Sequence, residues 1–265
     1  MTEAMKSGED VLYDARDEVA IVTFNRPQAR NAFTFAMYER LAEICAAVDD
    51  DPSIRAMVLT GAGGKAFAAG TDISQFRAFE SAEDALAYEA RIDRVLSALE
   101  QCRVPTIAAI SGACTGGGAG IAGSCDLRIA AANAKFGLPI ARTLGNCLSM
   151  SNYARFADLI GSARLKEMIF TARLVEAQEA LAIGLVNEVV DDLAAALERA
   201  VALARTIAGH APLTLQASKQ ALRRLRPSIP RGEGDDLILM CYMSEDFREG
   251  MDAFLNKRAP KFTGR

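Results

Sequence analysis

Short apolar runs and longer amphipathic stretches alternate along the first half of the chain. Buried strands are predicted where the runs are short and rich in β-branched residues, at 11–13, 19–24, 56–59, 104–110 and 127–131. Between Thr34 and Asp51, and again between Ala82 and Cys102, apolar side chains recur every three or four positions, which predicts amphipathic helices. Strands that alternate with helices indicate an α/β core.

The second half of the chain has a different pattern. From Ser149 onward the apolar positions are mainly spaced as in helices. One short strand-like run, Val186–Val190, interrupts them. The chain is therefore expected to combine an α/β core with a largely helical C-terminal part.

A glycine-rich stretch at residues 111–120 follows the apolar run at 104–110 and precedes small apolar residues. This order predicts a strand, a turn and the start of a helix, where backbone N–H groups and the helix dipole favour an anion or a developing oxyanion. A tight turn with close helix packing is the simpler alternative. The Gly-x-Gly-x-x-Gly frame of a dinucleotide site is not evident. A second glycine-containing loop at 61–72 also follows a strand, so the two loops are candidates to face one site.

Composition and charge narrow the class of protein. The chain has 265 residues, a formal net charge of −4 and 51% hydrophobic residues, which fits an enzyme-sized globular protein and predicts no nucleic-acid partner. Its six cysteines form no CxxC pair and are expected to be reduced. A single histidine, His210, leaves a multi-histidine metal site without its usual ligands, so no metal is expected. Residues 1–10 have no apolar stretch, and no run is long enough to span a bilayer, which predicts a cytoplasmic protein without a membrane partner.

Six segments of the chain, in this order, resemble the crotonase superfamily, also called the enoyl-CoA hydratase/isomerase family. They are Asn25-Arg26-Pro27 with Asn31-Ala32, the run 65–72 (KAFAAGTD), the triplet Gly116-Gly117-Gly118, the run 134–139 (AKFGLP), Ala180 to Asn187, and Glu249 to Arg258. Each segment alone is a weak signal. Together they cover nearly the whole chain, and the chain is therefore identified as a member of this family.

The resemblance implies an α/β fold, a crotonase-like spiral of ββα units over residues 1–205, followed by a helical region over 206–265 that takes part in CoA binding and oligomer contacts. It implies homotrimers that commonly pair as hexamers, an acyl-CoA thioester as ligand and no tightly bound cofactor, coenzyme A being part of the substrate. By position, the backbone N–H groups of Thr71 and Gly117 would form an oxyanion hole for the thioester carbonyl. The residues expected beside CoA are Lys65, Ala68, Ala69, Phe254 and Lys257, the last two reaching it from a neighbouring subunit.

The chain departs from the family pattern at two positions. Family hydratases have glutamates where this chain has Gly120 and Ile140, and neither residue can transfer a proton. Hydration of an enoyl thioester needs a base for water and an acid for the α-carbon. Ordinary hydration is therefore disfavoured, whereas isomerisation, decarboxylation, hydrolysis or another addition remains open. A catalytically inactive acyl-CoA-binding or assembly protein is the alternative.

Other side chains are candidates to replace the glutamates. Five acids lie in the segment that often borders the acyl pocket and are expected to be exposed helix residues: Glu80, Glu83, Asp84, Glu89 and Asp93. Cys147 is either a thiolate stabilised by Arg142 or, as we favour, a packed thiol. Arg142 itself suits a substrate carboxylate or an ordinary salt bridge. Asp72 is expected to cap a short helix, and His210 to be structural or exposed.

Overall fold

The computed structural model of the chain describes residues 9–230 and 232–265. Its strands are β1 (Val11–Arg16), β2 (Val19–Phe24), β3 (Ala56–Gly61), β4 (Ala66–Ala68), β5 (Thr106–Ile110), β6 (Ala113–Thr115), β7 (Leu127–Ala131), β8 (Lys135–Gly137), β9 (Val175–Glu176) and β10 (Glu188–Val190). Its α-helices are α1 (Phe35–Asp50), α2 (Ala82–Gln101), α3 (Gly117–Ser124), α4 (Ile140–Thr143), α5 (Met150–Phe170), α6 (Ala177–Ala182), α7 (Leu193–Ala208), α8 (Pro212–Leu225), α9 (Asp235–Tyr242) and α10 (Glu245–Leu255). Two 3-10 helices span Pro27–Ala29 and Ile73–Ala78.

The strands form two sheets. The larger has six strands in the order β1-β2-β3-β5-β7-β10, and all its pairs are parallel except β1 with β2. The smaller has four strands in the order β4-β6-β8-β9. The chain passes from the large sheet to the small one three times, at β3 to β4, β5 to β6 and β7 to β8, and a helix follows each passage. This repeated strand-strand-helix unit is the crotonase-like spiral, and the predicted α/β fold class is confirmed.

Helix boundaries follow local capping signals. The Thr34 side chain accepts a hydrogen bond from the Met37 amide at the start of α1, as predicted. Ser81 and Asp84 form a capping box at the start of α2. The three-residue strands β4, β6 and β8 were not predicted, because they lie in short glycine- and alanine-rich segments that have no strand-like run.

Both faces of the large sheet are covered, as a parallel sheet requires. On one face α7 packs against β3, β5 and β7 through Ala196, Ala200 and Ala204, all fully buried at four-residue spacing. Such small side chains let a helix lie close to a sheet. On the other face α1, α2 and the small sheet contribute to the main core.

The C-terminal helices return to the N-terminal part of the molecule. Helix α9 packs against α2, and α10 packs against α4 and the 3-10 helix at Ile73–Ala78. The predicted boundary after residue 205 falls within α7, and the division into two regions stays a prediction. Within residues 9–230 and 232–265, none of the helices combines the length and the apolar character that a membrane crossing needs.

Candidate active site

The two glycine loops lie side by side. The loop after β4 contains Gly70, whose φ of 102° is left-handed, and the loop after β6 contains Gly116 with φ of 53°. A Cβ atom on Gly116 would lie 3.5 Å from the Gly70 Cα atom. The absence of side chains at both positions lets the loops meet, as the two-loop hypothesis expected.

Each loop presents a free backbone donor. The backbone on either side of Thr71 is fixed, since the Asp72 amide donates to the Phe33 carbonyl at 2.8 Å and the Gly70 carbonyl accepts from the Phe33 amide at 2.8 Å. In the other loop the Gly116 amide donates to the Gly137 carbonyl at 3.0 Å. Within the described residues, no backbone acceptor binds the amides of Thr71 or Gly117. Both residues line one cavity, so two N–H groups are available there to a ligand oxygen.

The Thr71 side chain anchors its loop and does not compete for the ligand. Its hydroxyl group hydrogen-bonds the Tyr38 hydroxyl at 3.0 Å and the Tyr88 hydroxyl at 2.9 Å. Burial raises the pKa of both phenols, so the three hydroxyl groups form a neutral network. Neither tyrosine was singled out from the sequence.

The cavity has a volume of about 650 Å³, within the range of small-molecule sites. Most of its wall is apolar, from Ala29, Ala32, Ile73, Phe76, Ile92, Leu96, Ala113, Ile140, Leu144, Leu148, Phe156 and Leu174. The lining also includes polar side chains, among them Arg30, Glu89, Arg142 and Asn146, so the cavity suits a ligand with both polar groups and an apolar body.

The residues predicted to lie beside CoA occupy three kinds of position. Ala69 and Phe254 line the cavity, and Phe254, half-exposed on α10, reaches the cavity of its own chain. Lys65 and Lys257 are exposed and outside the lining. Ala68 is fully buried, and a Cβ on Gly118 would meet its carbonyl oxygen at 2.1 Å. Their contacts with CoA stay predictions.

Gly120 and Ile140 both line the cavity and supply no proton-transfer group. A Cβ atom on Gly120 would lie 3.1 Å from Leu96 Cδ1 and 4.0 Å from Asn152 Oδ1. The Ile140 side chain is buried. This part of the wall is therefore apolar, apart from the Asn152 amide.

Glu89 is the acid that the sequence interpretation placed wrongly. Glu80 and Glu83 are exposed as expected, but Glu89 is only 6% exposed and lines the cavity. Its Oε1 accepts a hydrogen bond of 2.5 Å from the Tyr242 hydroxyl, and Tyr242 in turn accepts one of 3.2 Å from the Asn146 side chain. Burial raises the pKa of Glu89 to about 8, although the Tyr242 hydrogen bond opposes the rise.

Asp84 and Asp93 are partly buried, where exposure was expected, and both have structural partners. Asp84 belongs to the capping box of α2. Asp93 lies outside the cavity lining and accepts hydrogen bonds from Ser149 at 2.6 Å and from Asn152 at 3.3 Å. Burial raises the pKa of Asp93.

The remaining candidates fit their simpler interpretations. Cys147 is a packed thiol that donates to the Leu237 carbonyl at 3.4 Å, and the adjacent Cys241 thiol together with burial raises its pKa. Asp72 caps the 3-10 helix that begins at Ile73 and pairs with Arg26 at 3.2 Å. His210 is exposed and far from the lining. Arg142 is exposed, lines the cavity and forms no ion pair with the residues that the structure describes.

A spiral α/β core with two free amides over an apolar cavity defines a protein of the crotonase-like fold. The chain belongs to the enoyl-CoA hydratase/isomerase family, because the family model of that description matches residues 14–265. It is an acyl-CoA-binding enzyme of this family.

Similar proteins include enoyl-CoA hydratases and a methylmalonyl-CoA decarboxylase. The short-chain-enoyl-CoA hydratase of Clostridium acetobutylicum is 36% identical over 252 residues, which cover 94% of this chain and 95% of that protein. The structure of an enoyl-CoA hydratase/carnithine racemase from Magnetospirillum magneticum is 35% identical with a TM-score of 0.80, covering 100% of this chain and 99% of that one. A methylmalonyl-CoA decarboxylase in complex with 2-nitronate-propionyl-CoA is 29% identical with a TM-score of 0.88, covering 97% and 99%.

Proposed function

We propose that the protein binds an acyl-CoA thioester and stabilises its enolate at the backbone amides of Thr71 and Gly117. The observation that carries this proposal is the pair of free amides at the wall of one cavity. An enolate places negative charge on the thioester oxygen, and fixed N–H donors in an apolar site stabilise that charge more than they stabilise the neutral carbonyl.

Two features support a reaction other than ordinary two-glutamate hydration. Gly120 and Ile140 cannot carry a proton, although the named relatives include hydratases. The fold also matches a methylmalonyl-CoA decarboxylase closely, with a TM-score of 0.88. An isomerase or lyase acting on an acyl-CoA is therefore the proposed class, and lipid or other acyl-CoA metabolism is the expected context.

A panel of acyl-CoA thioesters tests the proposal. Saturated, enoyl and carboxylated acyl-CoA compounds are incubated separately with the protein, and the products are separated and identified by mass spectrometry. We expect conversion of at least one class. Tight binding measured by calorimetry without conversion of any class would instead support the inactive acyl-CoA-binding alternative.

A further inference from the structure

Enolate chemistry needs a group that takes or gives a proton next to the thioester. Backbone amides stabilise the oxyanion but do not exchange protons with carbon. The proposed function does not say which residue supplies this proton-transfer group. Assigning that residue adds to the proposed function and rests on it. Because Gly120 and Ile140 cannot serve, the group belongs to another residue of the cavity wall.

Most titratable side chains in the described cavity lining are unsuitable. Asp72 is committed to Arg26 and Ser74, and these hydrogen bonds lower its pKa overall despite partial burial. Tyr88 and Cys147 have raised pKa values and stay neutral. The guanidinium groups of Arg30 and Arg142 are hydrogen-bond donors without an acceptor, which does not suit a base.

Glu89 remains, and its place on α2 directs it inward. Ala85, Glu89, Ile92 and Leu96 follow one another at three- and four-residue spacing, and all four are buried. Ile92 and Leu96 line the same cavity as Glu89. The side chain of the preceding residue, Tyr88, reaches the oxyanion loop through its 2.9 Å hydrogen bond to Thr71. One helix thus connects the carboxyl group to the predicted oxyanion hole.

Helix α9 and the Ser149 backbone hold the carboxyl group in place. The Tyr242 hydroxyl donates to Oε1 at 2.5 Å, and a hydrogen bond from the Ser149 backbone amide also favours the ionised carboxylate. In the described residues no side chain donates to Oε2. Asn146, which donates to the Tyr242 oxygen, also has a buried Oδ1 atom without a hydrogen-bond partner. The cavity therefore contains a carboxyl oxygen and an amide oxygen that the described protein leaves without side-chain donors.

The surroundings of Glu89 shift its pKa towards neutral pH. Those that interact with it electrostatically are Tyr88 and Asp93 on its own helix, Tyr242 on α9, and Tyr38, Cys147 and Tyr153 from the other packed segments. Burial is the largest effect and raises the pKa of Glu89 to about 8, with a smaller rise from Asp93. A carboxyl group with this pKa can both accept and return a proton at physiological pH.

We infer that Glu89 is the catalytic residue that exchanges a proton with the bound acyl group, and that Tyr242 is its positioning residue. The carboxylate removes a proton from the carbon next to the thioester or from its vinylogous γ-carbon. The electron pair of that C–H bond moves into the enolate, whose oxygen accepts hydrogen bonds from Thr71 and Gly117. The protonated carboxyl group then returns a proton to carbon, which regenerates the thioester and the carboxylate.

Hydrogen exchange in D₂O tests the assignment. The probes are butyryl-CoA, read at the α-carbon, and crotonyl-CoA, read at the γ-carbon, both by proton NMR. Glu89→Gln keeps the shape and an oxygen for Tyr242, and we expect it to slow exchange by about a hundredfold or more. Glu83→Gln, an exposed change on the same helix, is the matched control and is expected to exchange at the parent rate.

The outcomes separate the inference from the proposed function. If the parent exchanges and folded Glu89→Gln exchanges as fast, the Glu89 assignment is wrong and the enolate proposal stands. If the parent exchanges neither probe, the Glu89 assignment is wrong, and the enolate proposal is decided by the acyl-CoA panel. Calorimetric titration of Glu89→Gln with CoA shows whether slower exchange comes from slower proton transfer or from weaker ligand binding.

The pH profile of exchange distinguishes catalysis from a structural role. Tyr242→Phe removes a hydrogen bond that favours the ionised carboxylate, so the rise of exchange with pH should move to higher pH. Asp93→Asn removes a neighbouring negative charge, so the same rise should move to lower pH. Profiles that lose amplitude without moving in these opposite directions would overturn the inference.

Discussion

At the scale of single residues, the wall of the cavity contains a carboxyl group that is costly to ionise. Glu89 is 6% exposed, and burial raises its pKa to about 8. The sequence contained a signal for this position, since Glu89 interrupts the apolar stripe of Ala85, Ile92 and Leu96 on α2. An acid on an apolar stripe is buried when the helix packs. The expectation that Glu89 is exposed failed because it considered the charge of the residue and not the side of the helix on which it lies.

This burial makes stability depend on pH. In the unfolded chain Glu89 ionises near pH 4.3, whereas in the folded protein it stays protonated up to about pH 8, so stability is lost as pH rises between these values. Relative to Glu89→Gln, the parent should lose on the order of 3 kcal/mol of unfolding free energy between pH 5 and pH 8. Urea unfolding of both proteins at each pH, at one fixed protein concentration, measures this. Equal losses in the two proteins would show that Glu89 is not held neutral by the fold.

Two exposed lysines are predicted to contribute to the affinity for CoA. Lys65 and Lys257 are exposed, and ammonium groups beside phosphates form charge-assisted hydrogen bonds that salt weakens. Lys65→Ala and Lys257→Ala should each bind CoA more weakly in calorimetric titrations, with a smaller effect at high salt. Lys166→Ala, an exposed change on α5 at a position that the resemblance does not place beside CoA, serves as control. Unchanged affinity in both variants at low salt would remove these residues from the CoA site.

At the scale of elements, the start of α3 is fixed by close packing. A Cβ atom on Gly117 would lie 2.1 Å from the Tyr38 hydroxyl oxygen, and one on Gly118 would lie 2.1 Å from the Ala68 carbonyl oxygen. The sequence predicted the strand, turn and helix here, because glycine marks such junctions. It did not predict Tyr38 as the packing partner, since that contact joins α1 to α3 across long sequence separations.

A double substitution tests this packing. Gly117→Ala should shift the oxyanion amide and slow turnover of the best acyl-CoA by about a hundredfold, as loss of one donor does. Tyr38→Phe removes the clashing oxygen, so Gly117→Ala in that background should recover much of the rate. Tyr38→Phe alone leaves Thr71 bonded to Tyr88 and should remain active.

Folding of each variant is checked first by circular dichroism and size exclusion. A double variant as slow as Gly117→Ala would show that Tyr38 is not the obstacle. A folded Gly117→Ala variant at the parent rate would remove Gly117 from the oxyanion hole. Thr71→Ser keeps the hydroxyl network and is the matched active control, because Thr71→Ala would leave Tyr38 and Tyr88 without this partner.

At the scale of the whole molecule, the sequence predicted the spiral and both site loops but not every wall of the cavity. Both site loops contain turns at which Gly70 and Gly116 have positive φ, a conformation that favours glycine and so leaves a signal in the local sequence. Tyr242 meets Glu89 only because α9 packs on α2, and a contact between residues 153 positions apart leaves no local pattern in one sequence.

The assembly is also a prediction of the whole molecule. Helix α8 has no buried residue, and its Leu213, Leu222 and Leu225 are 76%, 67% and 81% exposed in the single chain. Large apolar side chains exposed in this way suit contact with further copies. Light scattering should give three or six times the chain mass of 28.3 kDa. A monomer at micromolar concentration would contradict this expectation.

The overall reaction follows from how many proton-transfer groups the cavity holds. Hydration of crotonyl-CoA needs one group to activate water and one to protonate the α-carbon, or a single group that does both in sequence. Gly120 and Ile140 stand where the family resemblance predicts carboxylates, and Glu89 is the carboxyl group of the described lining whose pKa is near neutral. We therefore expect hydration at least about a hundredfold slower than that of a two-glutamate relative. Loss of the absorbance of the conjugated thioester, followed for both enzymes side by side, measures the rates. A rate equal to that of the relative would show that this cavity activates water without the glutamates. Ordinary hydration would then be the favoured reaction.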